Sequence, residues 1–403
     1  MIPKKFKQTE IGKIPTEWEV VKLGNICEVK SGKRLPMGRF LVEYKTNHPY
    51  IRVRDLQNRT IKVNELLFLD EETFKKISRY LITKDDVYIS IVGSIGMVGL
   101  VPENISGANL TENCARLTNL NRITKEWLSY FLNSRNGQNQ IKSLTVGTTQ
   151  GKLALFRIKD IEIPLPPLPE QLSIASILSS LDAKIELNQQ MNKTLEAIGQ
   201  AIFKKWFVDI EKIPEGWKTK PLDEVAEFLN GLALQKYPAK IGEEFLPAIK
   251  IKELRNGITN QTDKTNLDLP KNYIINNGDI LFSWSGSLEV VIWTNGKGAL
   301  NQHLFKVSSK EYPKWFYYFW TKHYLPEFRN IAEDKATTMG HIQRRHLTES
   351  EVLVPDKKSF EEMSKLMIPL IDKIINLKLE SQTLSAIRDA LLPKLMNGEV
   401  RIK

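Results

Sequence analysis

Cysteine is scarce in this 403-residue chain: only Cys27 and Cys114 occur. Neither sits in a Cys-x-x-Cys spacing, which argues against a disulfide framework or a cysteine zinc site and fits a reducing compartment, with both thiols as buried packing residues. Long apolar runs are also missing. The longest, Val87 to Val101, has 15 residues and three glycines, short of the about 20 that span a bilayer. The start, MIPKKFKQTEIG, carries lysines with no apolar run behind them, so no export signal is expected. The expectation is a soluble cytoplasmic protein without membrane contact.

Signatures of resident chemistry are absent too. GTTQGKL at Gly147 is one residue short of a phosphate-binding loop and has Leu153 where Ser or Thr would hold magnesium. Gly93, Gly96 and Gly99 imitate a dinucleotide fingerprint, but inside a strand-like run where turns or bulges explain them. His341 and His346 lack a ligand set around them, so a structural or DNA-facing role is expected in place of metal binding. The one Pro-Pro pair lies in PLPPLPEQ, so the Asn/Asp-Pro-Pro-aromatic tetrapeptide of an adenine methyltransferase does not occur, nor does a glycine-rich cofactor loop. A non-catalytic chain is expected.

What the chain does contain is a duplication. IPTEWEVVKLGNICEVKSG from Ile14 and IPEGWKTKPLDEVAEFLNG from Ile213 match at an offset of 199 residues, aligning Trp18 with Trp217 and Gly32 with Gly231. The match continues through YIRVRDL and AIKIKEL, DDVYIS and GDILFS, and NLTENCARL and ALNQHLFKV. It ends with EWLSYF and KWFYYF, then TTQG and TTMG. Two copies of about 190 residues exclude a solenoid and imply pseudo-twofold symmetry. Each copy alternates short apolar runs with turn residues, then turns helical near Lys125 to Asn133 and Pro313 to Tyr324.

After each copy comes a long helix. The first is expected from Glu170 to Val208, with one seam at Ile174, Leu181, Asn188, Leu195 and Ile202 and its partner seam at Ile177, Lys184, Met191, Ile198 and Lys205. The second places Leu370, Leu377, Leu384 and Leu391 at seven-residue spacing, flanked by Met367, Ile374 and Leu395. Helices this long with an apolar stripe require a partner. The predicted fold is α+β: two globular α/β-type modules in pseudo-twofold arrangement, separated by two long antiparallel coiled-coil helices. The domains are drawn at 1–168, 169–210, 211–357 and 358–403.

Lys and Arg number 58 against 47 Asp and Glu, a net charge of +11 that favours a polyanionic partner. The excess is concentrated: nine basic residues and two acidic ones lie between Lys30 and Lys62. Candidates for contact with DNA, chosen from charge, turn context and equivalence between copies, are Lys33, Arg34, Arg39, Arg52, Arg54, Thr148, Thr149, Gln150 and Lys152 in the first copy. In the second they are Lys250, Lys252, Arg255, Thr337, Thr338, His341, Arg344 and Arg345. A charge run is as often a solvated face. Trp284 could stack on a base, whereas Tyr50 is assigned to the core.

The sequence resembles the specificity (S) subunits of Type I restriction-modification enzymes, the HsdS family. The resemblance rests on KQTEIGKIPTEWEVVKLG at the start, IPLPPLPEQLSIASILSSLDAKIE in the middle, AIFKKWFVD before the second IPEGW, and LLPKLMNGEV at the end. It implies two target recognition domains, each reading one half of an asymmetric bipartite site in double-stranded DNA. The helices, Leu172 to Phe207 and Met363 to Met396, would act as spacer and as docking surface for two modification (methyltransferase) subunits. S-adenosylmethionine, ATP and Mg would belong to those partners and to restriction subunits where they join, with no cofactor in this chain. Two other readings fit the same repeat: the equivalent subunit of a system with a fused restriction-methylation partner, and a coiled-coil scaffold that binds proteins and no DNA.

Overall fold

A computed structural model describes residues 5–57, 59–147, 151–334 and 340–402. It divides into two compact units, residues 1–183 with 385–403 and residues 184–384. The two units repeat one topology. In the first, a four-stranded sheet has the order Glu28–Ser31, Cys114–Thr118, Val87–Ser90, Val98–Leu100; in the second the order is Glu227–Asn230, Leu304–Ser308, Ile280–Ser283, Val290–Ile292. A second sheet repeats likewise. Its central parallel pair joins Pro49–Ile51 to Ala108–Leu110 in one unit and Leu246–Ile249 to Gly298–Leu300 in the other. The strands are short because turn residues punctuate them, and within the first sheet Val87–Ser90 and Ile280–Ser283 are buried on both faces, whereas the edge strands Glu28–Ser31 and Glu227–Asn230 keep one side exposed.

The helix Lys125–Asn133 begins where expected, capped by the Thr124 side chain, which accepts from the Trp127 N–H. Its counterpart Lys314–Asp334 runs further than the sequence indicates and passes through Pro326. Prolines close the strands Glu162–Leu165 and Glu351–Val354, and the long helices open just beyond, as Leu168–Phe207 and Lys357–Met396, 40 residues each. At 1.5 Å per residue each is about 60 Å long. In both units they pack antiparallel. Ile174 shares a core with Leu395 in the first, and Asn188 donates to Glu380 at 2.8 Å in the second.

The first seam of the central helix is as expected: Ile174 and Asn188 are buried, and Leu181, Leu195 and Ile202 are half-buried. The partner seam needs correction. Ile177, Lys184, Met191, Ile198 and Lys205 are all exposed, and Leu178, Ile185, Asn192, Gly199 and Trp206 turn inward instead. A neighbour three residues on and one four residues on lie on opposite sides of a helical stripe. Ile177 and Leu178 are both apolar and do not distinguish the two sides, but Lys184 against Ile185 and Lys205 against Trp206 do, and the apolar member of each pair turns inward. On the C-terminal helix Leu370 and Leu377 are buried and Leu384 and Leu391 half-buried, flanked by buried Met367, Ile374 and Leu395.

Trp18 explains the first IPTEW motif. Fully buried, it packs edge-on to Trp127, and its indole N–H donates to the buried Glu170 at 3.0 Å. Arg401 donates to both Glu170 oxygens, tying the start of the first unit to the foot of the central helix and to the chain's last residues. Cys27 and Cys114 are buried, and desolvation pushes both thiols up to about 12.

A carboxylate on the central helix fastens each unit. Asp182 accepts from Arg59 at 2.6 Å, from the Tyr130 hydroxyl at 2.6 Å and from Arg388 at 2.9 Å. The Arg59 guanidinium lies 3.7 Å above the Tyr130 ring. In the second unit Glu196 accepts from Lys322 at 2.8 Å and Lys378 at 3.2 Å. Burial pushes the Asp182 carboxyl up, but Arg59, Tyr130 and Arg388 pull it further down, below its ordinary range.

Two predictions follow from this packing. A Cβ on Gly32 would lie 2.1 Å from the Leu110 carbonyl oxygen, and one on Gly231 2.2 Å from that of Asn301. Gly32→Ala and Gly231→Ala should therefore each cost about 1–3 kcal/mol in urea unfolding, and neutral behaviour would mean these strands can separate. Asp182→Asn leaves two arginines without their carboxylate and should cost about 2–3 kcal/mol at neutral pH, reduced because the site is 27% exposed. A depressed folded pKa stabilises fully above the unfolded value of about 4 and ceases to do so as pH falls through the folded value. Wild type and variant should therefore converge in acid; a difference constant with pH would contradict the ion-pair account.

Candidate nucleic-acid interface

Backbone hydrogen bonds gather four segments at one end of the main sheet in each unit. In the first, Gly32 N–H donates to the Cys114 carbonyl at 3.0 Å and Lys33 N–H to Leu110 at 2.8 Å. Ile91 N–H donates to Asn113 at 2.8 Å, and Leu153 N–H to Ile91 at 3.0 Å. In the second, the same four bonds run from Gly231 to Leu304, Leu232 to Leu300, Trp284 to His303 and Ile342 to Trp284, at 3.0, 2.9, 3.4 and 3.0 Å. The close approaches at Gly32 and Gly231 lie inside this arrangement, which is why no larger residue suits the aligned position.

On this shared backbone the two units carry different side chains. The first presents Lys33, Arg34, Glu112, Asn113 and Lys152. Arg34 donates from Nε to Glu112 at 2.8 Å, and Glu112 also accepts from the Thr111 hydroxyl at 3.0 Å. Burial pushes the Glu112 carboxyl up, but Arg34, the backbone and Thr111 outweigh it and hold it below its usual range. The second presents Asn230, Trp284, Gln302, His303 and His341. The Trp284 indole donates to Asn230 at 2.9 Å, Ser285 Oγ lies 3.0 Å from His303 Nδ1, and Gln302 Nε2 lies 3.3 Å from His303 Nε2. The His341 backbone forms a β-bridge with Ser285, and its ring lies edge-on to Trp284. These groups offer donors and acceptors suited to base edges together with a ring that can stack.

The residues selected by sequence divide three ways. Lys33, Arg34, Lys152 and His341 fall in the gathered segments. Thr148, Thr149, Gln150, Thr337 and Thr338 lie outside the described residues, although their neighbours Gly151 and Gly340 adjoin the cluster. The others sit elsewhere or are engaged internally. Arg52 makes two bonds of 2.8 and 2.7 Å to the buried Asp55 and a third to the Glu65 carbonyl. Its backbone N–H also donates to Asp55, as Lys250 N–H does to Glu253. The match of YIRVRDL to AIKIKEL thus records a shared capping turn.

Arg39 pairs with Glu72, Lys250 with Asp263, Lys252 with Glu253, and Arg255 with Glu289. Arg344 donates to the Phe228 carbonyl at 3.2 Å. Arg54 and Arg345, like Lys152, are exposed and form no ion pair among the described residues. Sequence reasoning passed over Glu112, Asn113, Asn230, Gln302 and His303. The available signal was in NLTENCARL and ALNQHLFKV, whose apolar flanks correspond while their centres differ in chemistry.

A duplicated α+β module, each copy displaying its own polar set on a common backbone frame and followed by a long helix, defines a tandem recognition protein. The model of the Type I restriction modification DNA specificity domain matches residues 15–197 and again 214–386, and the chain belongs to that family, as a Type I restriction-modification specificity subunit. It is 27% identical over 430 residues to the Type I restriction enzyme MjaIX specificity subunit of Methanocaldococcus jannaschii, covering 99% of this chain and 97% of that one. It is 25% identical to the EcoKI specificity subunit of Escherichia coli, covering 70% and 64%. The crystal structure of a Type I S subunit from M. genitalium shares the fold, with a TM-score of 0.60 at 18% identity over 97% of this chain and 98% of that one.

If the exposed cations of each unit that are unpaired among the described residues meet phosphates, Lys152→Ala and Arg345→Ala should each weaken duplex binding similarly for all sequences. Each should lower the slope of log affinity against log salt by about one. An unchanged slope in a salt titration would assign these residues to solvent.

Proposed function

We propose that this chain is the sequence-reading subunit of a Type I restriction-modification enzyme, and that each unit reads one half of an asymmetric bipartite site in double-stranded DNA. The observation that carries the reading is the pair of clusters described above: one backbone frame, used twice, with different hydrogen-bonding side chains mounted on it. Identical frames suit two encounters with the same duplex geometry, and unlike side chains suit unlike half-sites. The chain's excess of 11 positive charges supports a polyanionic partner.

The chain itself is non-catalytic in this reading. S-adenosylmethionine binding and adenine methylation fall to two modification subunits, and ATP and magnesium chemistry to restriction subunits where these are present. The long helices set the separation of the half-sites and dock the modification subunits. Support for docking comes from apolar residues the helix pair leaves outward, among them Leu172, Leu187, Met191 and Ile198 on the central helix. Among the described residues no helix is long and apolar enough to cross a membrane, and cytoplasmic action on DNA accords with that.

The test is a genome-wide map of methylated adenine in the native host, with and without this gene. Deletion should abolish one asymmetric motif whose two halves are separated by a constant spacer. A map unaltered by deletion in a host expressing the system would count against sequence reading, and duplex binding insensitive to salt would favour a protein scaffold.

A further inference from the structure

The turn Thr111–Asn113 and its counterpart Asn301–His303 occupy one backbone position in the two units, yet their charges differ. In the first unit Glu112 and Arg34 stand side by side: the carboxylate is steadied by the Thr111 hydroxyl, and the guanidinium is bonded through Nε alone. The Arg34 side chain is 80% exposed, and Glu112 30%. The two terminal nitrogens of Arg34 therefore face outward with no partner among the described residues, beside an acceptor that retains free lone pairs. In the second unit Gln302 replaces Glu112 and Ala233 takes the position aligned with Arg34, so neither charge is present.

We propose that Arg34 and Glu112 together read one G·C base pair in the first half-site; this rests on the DNA-reading function above. A guanidinium fork requires two adjacent acceptors on one base edge, which in the major groove only guanine supplies, through O6 and N7. The partner cytosine presents its N4 amino group on the same edge, and an ionised carboxylate is an acceptor for it. A cation and an anion held 2.8 Å apart thus complement both halves of one G·C pair, and each neutralises the other while DNA is absent. An A·T pair would set the thymine methyl against an ion pair and leave half the guanidinium fork unbonded. At the same turn of the second unit the uncharged Gln302 suits the N6 and N7 of adenine, so the two half-sites differ in composition at equivalent positions.

The experiment places Glu112→Gln, Arg34→Ala and Arg34→Lys individually on the host chromosome and maps methylated adenine in each strain. Thermal melting of the purified full-length variants confirms that they fold. Each variant should relax discrimination at one and the same G·C position, by about tenfold or more. The other half-site and the spacer should be unchanged. Arg34→Lys should fail to restore discrimination, because an ammonium cannot make the two parallel bonds. A motif identical to wild type in all three strains would reduce the pair to a surface ion pair and overturn the proposal. So would a folded variant whose methylation falls equally at every site, since that marks phosphate contact. A wild-type strain with no bipartite motif of its own is a separate result, which removes the function proposed above and this assignment with it.

Discussion

Everything proposed for the recognition surfaces depends on one constraint, that the hydrogen bonds shared by the sheet-end segments of both units run between main-chain atoms. Four backbone hydrogen bonds recur bond for bond in the two units, and glycine at 32 and 231 lets two strands approach closer than any side chain would allow. A frame built from groups common to every residue is indifferent to what its turns carry. Glu112 can become Gln302, and Asn113 can become His303, without disturbing the fold. A recognition module needs this separation, because its reading side chains must vary while their placement stays fixed.

The same logic accounts for cations that looked as though they should face a polyanion. Arg52 and Lys250 cap equivalent turns, and in the neighbouring strands Arg116 and Lys306 occupy another pair of equivalent positions. Lys306 donates to the Ile274 carbonyl and pairs with Asp279 at 2.8 Å, while Arg116 donates to the Leu81 carbonyl with Asp86 at 3.9 Å. A cation repeated in both copies is thus more informative about architecture than about contact. Where the copies agree, the residue holds the module together; where they disagree on the shared frame, the residue is free to carry specificity.

That distinction marks what could be read from the sequence. The duplication, the pairing of copies strand for strand, the onset of the helix Lys125–Asn133 and the leucine spacing from Leu370 to Leu391 all follow from local pattern, because period and turn chemistry act over a few residues. The second seam of the central helix is ambiguous only at its first position, where Ile177 and Leu178 are equally apolar; further along, Ile185 beside Lys184 and Trp206 beside Lys205 already mark the side that is buried. The internal pairing of Arg39, Arg52, Lys250 and Arg255 does not follow from local pattern, since their carboxylates are brought close by tertiary contacts or by capping geometry. Glu112, Gln302 and His303 lie outside what charge, turn context and equivalence between copies pick out, because base edges are read as much by acceptors and amides, and at this turn these differ between the copies.

The central helix shows why charge is placed in a seam that apolar residues could fill. Asp182 and Glu196 each receive one cation from the C-terminal helix and one from the globular part of their own unit. Asn188, fully buried, donates to Glu380 between them in sequence. Apolar packing tolerates a slip of the helices past each other, since one leucine replaces another at every turn. A carboxylate that must meet two particular cations does not, because a slipped register strands all three charges away from their partners at a cost of several kcal/mol. In a protein whose proposed task is to convert helix geometry into a fixed distance along DNA, register is the quantity that must not drift. These ion pairs secure it in each unit at the point where helix and recognition module meet.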